Sequence, residues 1–173
     1  LAVADSLDVQ RRARSSVLRL RDTVPLPTDI VEGIPDLQPV QRRIRECIGS
    51  RGEVLDGATP VLGELRRQSR EAYERVTEAL DRIIHSALGR EVLQDQVISI
   101  RGERLVVQVK TELRQRVPGI VLDASNTGAT LFIEPFATVD LCNAWRELAL
   151  EEERGTALVL RDLSAHVGAA APD

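Results

Sequence analysis

The sequence has few aromatic residues: one Trp, one Tyr and two Phe among its 173 residues. A core built from this chain must therefore be aliphatic, formed by Leu, Val, Ile and Ala. The chain also lacks any run of about 18 apolar residues, so we expect no membrane-spanning helix. Its length suits one domain or two small ones. Since it begins with Leu rather than Met, we expect a fragment of a longer protein.

Cysteine and lysine are scarce as well. Cys47 and Cys142 have no CxxC spacing and form no zinc pattern with the two histidines. We interpret both as reduced thiols buried on helices, which fits an intracellular protein. The chain holds a single lysine, Lys110, and no GxxxxGK[ST] loop, so we expect no nucleotide hydrolysis by this chain.

The net charge of −4 argues against a wholly basic nucleic-acid binder but leaves room for a local basic patch. Five cations do fall within sixteen residues, against two acids, which gives a local excess of +3. They are Arg101, Arg104, Lys110, Arg114 and Arg116. Such a cluster can contact phosphates, although ordinary surface charge is the alternative interpretation. The cluster itself contains no aromatic residue, which argues against base stacking.

Helical spacing dominates both ends of the chain. We predict helices over 6–22 and 40–48, separated by a proline-rich linker over 24–39. A long helix should then begin at Thr59 as N-cap, with Pro60 at its first position, and run to about residue 88. Its apolar or small residues recur at steps of three and four, as in a coiled-coil seam: Leu62, Leu65, Ser69, Ala72, Val76, Ala79, Ile83 and Ala87.

The pattern changes to short β-branched runs over 97–134 and returns to helical spacing over 137–167. Four strands are expected, with a hairpin turn at Gly102 and Glu103 and another turn around Asn126, Thr127 and Gly128. The predicted fold class is therefore mostly α with a small β insertion (α+β), in which two long antiparallel helices flank a four-stranded segment.

Two groups of polar residues suggest chemistry but have simpler explanations. Asp123, Ser125 and Thr127 could suggest a nucleophile, yet both histidines lie in helical segments, so we expect these side chains to bond their own turn backbone. Consecutive residues Glu151, Glu152 and Glu153 point about 100° apart around a helix, so they cannot converge on one metal ion.

Three runs stand out in the sequence: RGERLVVQVK, GIVLDASNTGATLFIEP and, upstream of both, GEVLDGATPVLGELRRQ. Together they resemble a block of the MutS-two family, the MutS paralogues that act on recombination. The run RGERLVVQVK is similar to the family's R-x-x-R-x-V-x-P-V-K, and GIVLDASNTGATLFIEP to its G-I-V-H-D-x-S-x-S-G-x-T-x-F-I-E-P. Upstream, GEVLDGATPVLGELRRQ resembles G-E-x-x-D-x-A-S-x-x-L-x-x-I-R. The resemblance covers roughly residues 36–167. Gln108 replaces the usual Pro, Leu122 the frequent His, and Gly155 a helix former.

The resemblance implies a helical core over 1–59, lever helices over 60–96 and 135–173, and a β-rich clamp over 97–134 that holds DNA by its backbone. Family members bind branched or double-stranded DNA such as junctions and D-loops, and suppress homologous recombination. By this resemblance the five cations named above would be the DNA-binding residues. Catalytic, cofactor and metal residues are not expected in this chain.

The family's ATPase, with its ATP and Mg²⁺, and its C-terminal Smr endonuclease domain would lie elsewhere in the parent protein. The resemblance further implies a homodimer formed through the full-length chain and a cytoplasmic, nucleoid-associated location in a bacterium. Because some members act on collided ribosomes, the alternative is a mechanical lever that contacts a protein partner or a ribosome and couples the absent ATPase to it.

Overall fold

The computed structural model describes residues 1–20, 30–31 and 35–170. Most of the linker predicted over 24–39 lies outside these residues. The helices are α1 (Ala2–Leu18), α2 (Gln38–Cys47), α3 (Pro60–Ile84), α4 (Ala87–Val92) and α5 (Phe136–Ala169). The strands are β1 (Leu93–Arg101), β2 (Arg104–Lys110), β3 (Gly119–Ala124) and β4 (Thr130–Pro135). Short 3₁₀ helices cover Asp56–Ala58 and Thr111–Arg116. The predicted fold class is confirmed, with one four-stranded antiparallel sheet inserted among helices.

The chain divides into two compact units. The first comprises Leu1–Gly63 and Glu153–Asp173, and the second Glu64–Glu152. The predicted division into helical core, lever helices and clamp is a different one, based on the resemblance, and stays a prediction.

The core of the first unit is small and aliphatic. It joins residues of α1, α2, the start of α3 and the end of α5, including Ala4, Ile44, Leu62 and Val159. The predicted N-cap is confirmed there, because the backbone N–H of Leu62 donates to Oγ1 of Thr59 over 3.1 Å.

The core of the second unit lies between the sheet and the two long helices. Its members share aliphatic character and almost complete burial: Val76, Leu80, Ile84, Val92, Leu93, Leu105, Val107, Val109, Val117, Ile133 and Cys142. Within this unit α3 and α5 run antiparallel. Arg66 binds Glu152 at 3.0 Å, and seven residues further along α3 Tyr73 meets Trp145, with ring centroids 5.2 Å apart.

The predicted seam of α3 is correct for its first turns and wrong for its last ones. Val76 is buried as expected, but the next buried residues are Leu80 and Ile84 rather than Ala79 and Ile83. A strict alternation of three and four averages 3.5 residues per step, whereas a straight α-helix has 3.6 residues per turn. Over several turns the buried side of the helix therefore drifts to residues further along the chain, and some steps of three become steps of four.

The prediction of one helix up to residue 88 is also wrong, because α3 ends at Ile84. The hydroxyl of Ser86 donates to the carbonyl of Ile83 at 2.7 Å and accepts the N–H of Gly89 at 2.9 Å. Ser86 therefore acts as the N-cap of the separate helix α4.

The sheet has the strand order β1-β2-β4-β3, so β1 and β3 are its edges. Both edge strands contain register shifts, two in β1 and one in β3 between Val121 and Asp123. In the central pair, Val107 faces Ile133 and Gln108 faces Phe132. Since side chains alternate along a strand, Val107 and Ile133 lie on the core face and Gln108 and Phe132 on the opposite face, which we call the outer face.

Candidate nucleic-acid interface

The β1–β2 hairpin brings the first two predicted site residues together. Gly102 and Glu103 have φ of 52° and 62°, as the type I′ turn of a two-residue hairpin requires. The predicted turn is thus confirmed, and it sets Arg101 directly opposite Arg104 in the register. Like charges opposite each other destabilise a strand pair, so each arginine needs a carboxylate partner.

Arg104 finds its partner in Glu134, which is 1% exposed and comes from β4. Its Nε and Nη2 donate to the two carboxylate oxygens over 2.9 and 2.6 Å, and its Nη1 donates to Oδ1 of Asn143 on α5 over 2.6 Å. The pair with Glu134 is bidentate, and with Asn143 all three guanidinium nitrogens have a partner. Arg104 therefore ties the hairpin to β4 and α5 in addition to any contact it makes outside the chain.

Arg101 is held in a different way, at the surface. Its Nε donates to Oδ2 of Asp123 over 3.0 Å, and both side chains remain open to solvent, at 38% and 52% exposure. Its guanidinium carbon lies 3.7 Å from the centre of the Phe132 ring, within cation–π distance. The fold thus supplies the aromatic neighbour that the sequence around the cluster lacks.

The other three predicted residues lie at the far end of β2. Nζ of Lys110 donates to the backbone carbonyl of Glu91 over 3.0 Å, and Arg116 forms an ion pair with the carboxylate of the same residue. The hydrogen bond from Arg116, with the nearby charges of Arg116 and Lys110, lowers the pKa of Glu91. Arg114 donates to the carbonyls of Val117 and Gly119, each at 3.1 Å, and so fixes the start of β3.

The five cations therefore form two groups rather than one patch. Arg104 and Lys110 are six residues apart on one strand, or roughly 20 Å at about 3.3 Å per residue. Because they are an even number of residues apart on the strand, both side chains lie on the outer face of the sheet.

The local excess of +3 counted along the sequence is balanced by acidic residues from elsewhere in the folded chain. Three carboxylates from outside that stretch, those of Glu91, Asp123 and Glu134, come to Arg116, Arg101 and Arg104 respectively. Sequence reasoning missed all three. The one available signal was Glu134, a single charge inside the apolar strand TLFIEP.

The polar turn that joins β3 to β4 is built as predicted for Asp123 and Ser125, whereas the hydroxyl of Thr127 lies 3.4 Å from that of Ser125. The carboxylate of Asp123 accepts the N–H of Ala124 at 2.8 Å, and the hydroxyl of Ser125 accepts the N–H of Thr130 at 3.1 Å. Gly128, at φ 72°, is the turn residue that needs positive φ. These side chains hold their own backbone.

At the other end of β3, Gly119 allows a close approach to β4. A Cβ at this position would lie 2.3 Å from the carbonyl oxygen of Glu134 and 2.6 Å from Cγ2 of Ile133. Only glycine fits here without a shift of backbone, and the strand that carries Asp123 depends on that fit.

Within the described residues, no helix is both long and apolar enough to cross a membrane. In the same part of the chain, no group of three or more His, Cys, Asp or Glu residues is placed to hold a metal ion. Glu152, one of the three consecutive glutamates, instead pairs with Arg66.

No family model matches the chain. Curated relatives match it over nearly its whole length, and three of them, from three bacteria, carry the name Endonuclease MutS2. One from Pelotomaculum thermopropionicum is 41% identical over 167 residues, which cover 96% of this chain and 21% of that protein. One from Thermomicrobium roseum is 38% identical over 99% of this chain and 22% of that protein. One from Clostridioides difficile is 36% identical over 100% of this chain and 22% of that protein. The resemblance is confirmed, and the chain spans about a fifth of the length of these relatives.

Proposed function

Because the chain belongs to the MutS2 family over nearly its whole length, we propose that it supplies the DNA-contacting clamp region of a protein that binds branched DNA and suppresses homologous recombination. In this proposal the β hairpin and the segment after β2 contact phosphates. ATP hydrolysis and endonuclease activity belong to the rest of the parent protein.

The observation that carries the proposal is the partial exposure of three cations at the two ends of β2. The side chains of Arg101 and Arg116 are 38% and 46% exposed, and each forms an ion pair with a carboxylate that is itself more than half exposed. Lys110 is half-buried, and its amine donates to a backbone carbonyl rather than to a carboxylate. Exposed ion pairs contribute only about 0–1 kcal/mol, so these groups can exchange their partners for phosphates at little cost.

The remaining two predicted residues have a supporting role in this proposal. Arg104 holds the hairpin through the buried Glu134, and Arg114 holds the start of β3 through two backbone carbonyls. Together they fix the positions of Arg101 and Arg116. The separation of roughly 20 Å between the two ends of β2 far exceeds the 1.7 Å of duplex axis per charge, so the groups would contact different phosphates.

The proposal also gives α3 and α5 a mechanical part. Their antiparallel pairing in the second unit, through Arg66 with Glu152 and Tyr73 with Trp145, is the arrangement expected of lever helices that run to and from a clamp. By this view the parent protein's ATPase would act on the clamp through these helices.

The test is a salt titration of binding to a four-way DNA junction and to plain duplex. We expect Arg101→Glu with Arg116→Glu to weaken binding to both DNAs. The slope of log K against log salt should fall by about one for each phosphate that the variant no longer binds. The matched control is Arg154→Glu with Arg161→Glu, the same change of charge on exposed positions of α5.

Equal weakening in the test and control variants would mean that only net charge matters, which would contradict the assigned interface. If the unsubstituted 173-residue chain does not bind DNA at low salt, the proposal that this chain contacts DNA is wrong. That result would leave the alternative of a lever that contacts a protein partner or a ribosome.

A further inference from the structure

Two of the exposed arginines on this interface are each held by one carboxylate from another element. Asp123 of β3 holds Arg101 of β1, and Glu91 of α4 holds Arg116 in the 3₁₀ helix after β2. The two pairs lie at opposite ends of the sheet, yet both combine partly exposed arginines with carboxylates exposed by more than half.

We propose that Asp123 and Glu91 are built-in competitors for phosphate, which occupy the DNA-binding edges of Arg101 and Arg116 and set the affinity of the interface. The inference rests on the proposed function and deepens it, because it names the residues that limit binding rather than those that provide it.

The first argument is chemical. Carboxylate and phosphate oxygens both accept charge-assisted hydrogen bonds from a guanidinium, in the same plane and over similar distances. The Nε of Arg101 donates to Asp123 and its Nη1 to the carbonyl of Ile100 over 2.8 Å. A phosphate that takes the Nε edge must therefore replace Asp123.

The second argument concerns the position of the guanidinium. Arg101 lies over the ring of Phe132, which is 7% exposed and sits on the outer face between Gln108 and β3. This contact does not involve Asp123. Removal of the carboxylate thus leaves the guanidinium in contact with the Phe132 ring on the outer face, with its Nε edge open to an incoming phosphate.

The third argument is the contrast with Arg104. Its partner Glu134 is 1% exposed and engages both oxygens, and Asn143 takes a further donor. A phosphate cannot reach that carboxylate's place without exposing a buried charge. The competitor role is therefore confined to the two exposed pairs.

The experiment is a double-mutant cycle on the full 173-residue chain, read out by fluorescence anisotropy with a labelled junction at fixed low salt. Asp123→Asn keeps the oxygen that accepts the N–H of Ala124, but it removes the charge and puts an NH2 group, which cannot accept a hydrogen bond, in place of the oxygen that binds Arg101. We expect it to tighten binding by up to about fivefold, the factor that corresponds to an exposed ion pair of about 1 kcal/mol. In the Arg101→Ala background the same substitution should have little effect. Glu91→Gln, alone and with Arg116→Ala, forms an independent second cycle.

Asp95→Asn is the matched control, because Asp95 is an exposed acid of β1 outside both pairs. If Asp123→Asn tightens binding no more than Asp95→Asn, or equally with and without Arg101, the gain comes from net charge and the competitor role is wrong. If the unsubstituted chain binds the junction and Asp123→Asn leaves the affinity unchanged, the competitor role is wrong while the proposed function stands. If neither binds at any salt, both are wrong.

Discussion

The buried pair between Arg104 and Glu134 allows the strongest test of how the hairpin is held. Arg104→Ala would leave a carboxylate that is 1% exposed without its bidentate partner. Removing one member of a buried ion pair costs about 3–5 kcal/mol. Because the Arg104 side chain is itself 21% exposed, solvent relieves part of the penalty, and we expect the lower end of that range, about 3 kcal/mol.

The single tryptophan provides the assay. Trp145 belongs to the second unit and packs against its core cluster, so its fluorescence reports unfolding of the unit that contains the pair. With a urea slope of about 2 kcal/mol per molar, typical of small proteins, a destabilisation of about 3 kcal/mol lowers the midpoint by about 1.5 M. Arg101→Ala breaks the exposed ion pair with Asp123 and should lower the free energy of unfolding by about 1 kcal/mol or less.

A compensated variant separates the ion pair from a simple reduction in packing. Arg104→Met combined with Glu134→Leu removes both charges and keeps apolar volume, and such replacements of buried pairs are often neutral or stabilising. We expect it to recover most of the stability. The reasoning would be refuted if Arg104→Ala cost no more than Arg101→Ala, or if the double variant were as unstable as the single one.

Three further outcomes are expected. Gly119→Ala should destabilise the second unit by about 2–4 kcal/mol in urea unfolding, since its Cβ would meet backbone at 2.3 Å, whereas Gly128→Ala should cost about 1 kcal/mol for positive φ alone; equal costs would contradict this explanation. Burial, with Glu134 beside it, raises the pKa of the Cys142 thiol to about 11, so the unfolded chain releases this proton first and stability should fall as pH rises from about 9 to 11. Cys142→Ala should flatten that fall in urea midpoints measured across this pH range. The hydrogen bond from Arg67, followed by that from Gln68, lowers the pKa of Glu64 to about 2, so Arg67→Gln should raise it towards its ordinary value in an NMR titration.

The general architecture could be predicted because local patterns determine it. The switch from helical spacing to β-branched runs and back gives the α+β class, and the glycine-containing turn at 102–103 gives the hairpin. The end of α3 could not be predicted in the same way. Ser86 is compatible with a helix interior, and it becomes a cap only through its two bonds to Ile83 and Gly89.

The interface shows a similar division. Its cations are visible as a cluster in the sequence, and the resemblance gave them a predicted role in DNA binding that stays a prediction. Their partners are not visible, because Asp123 and Glu134 come from strands that pair with the hairpin only through the order β1-β2-β4-β3. A count of charge along the chain cannot anticipate which acids the sheet will bring to which arginines.

The register shifts in the two edge strands have a consequence for self-association. A regular edge offers a row of free N–H and C=O groups on which strands of other chains can add, and bulges interrupt such a row. β3 has exposed apolar side chains at Ile120, Val121 and Leu122, which favour cross-β growth. Yet its shift falls between Val121 and Asp123, and the Asp123 carboxylate takes up the next N–H, that of Ala124. The shift therefore interrupts the ladder next to this apolar run, which makes β3 a poorer template for a strand of a second chain.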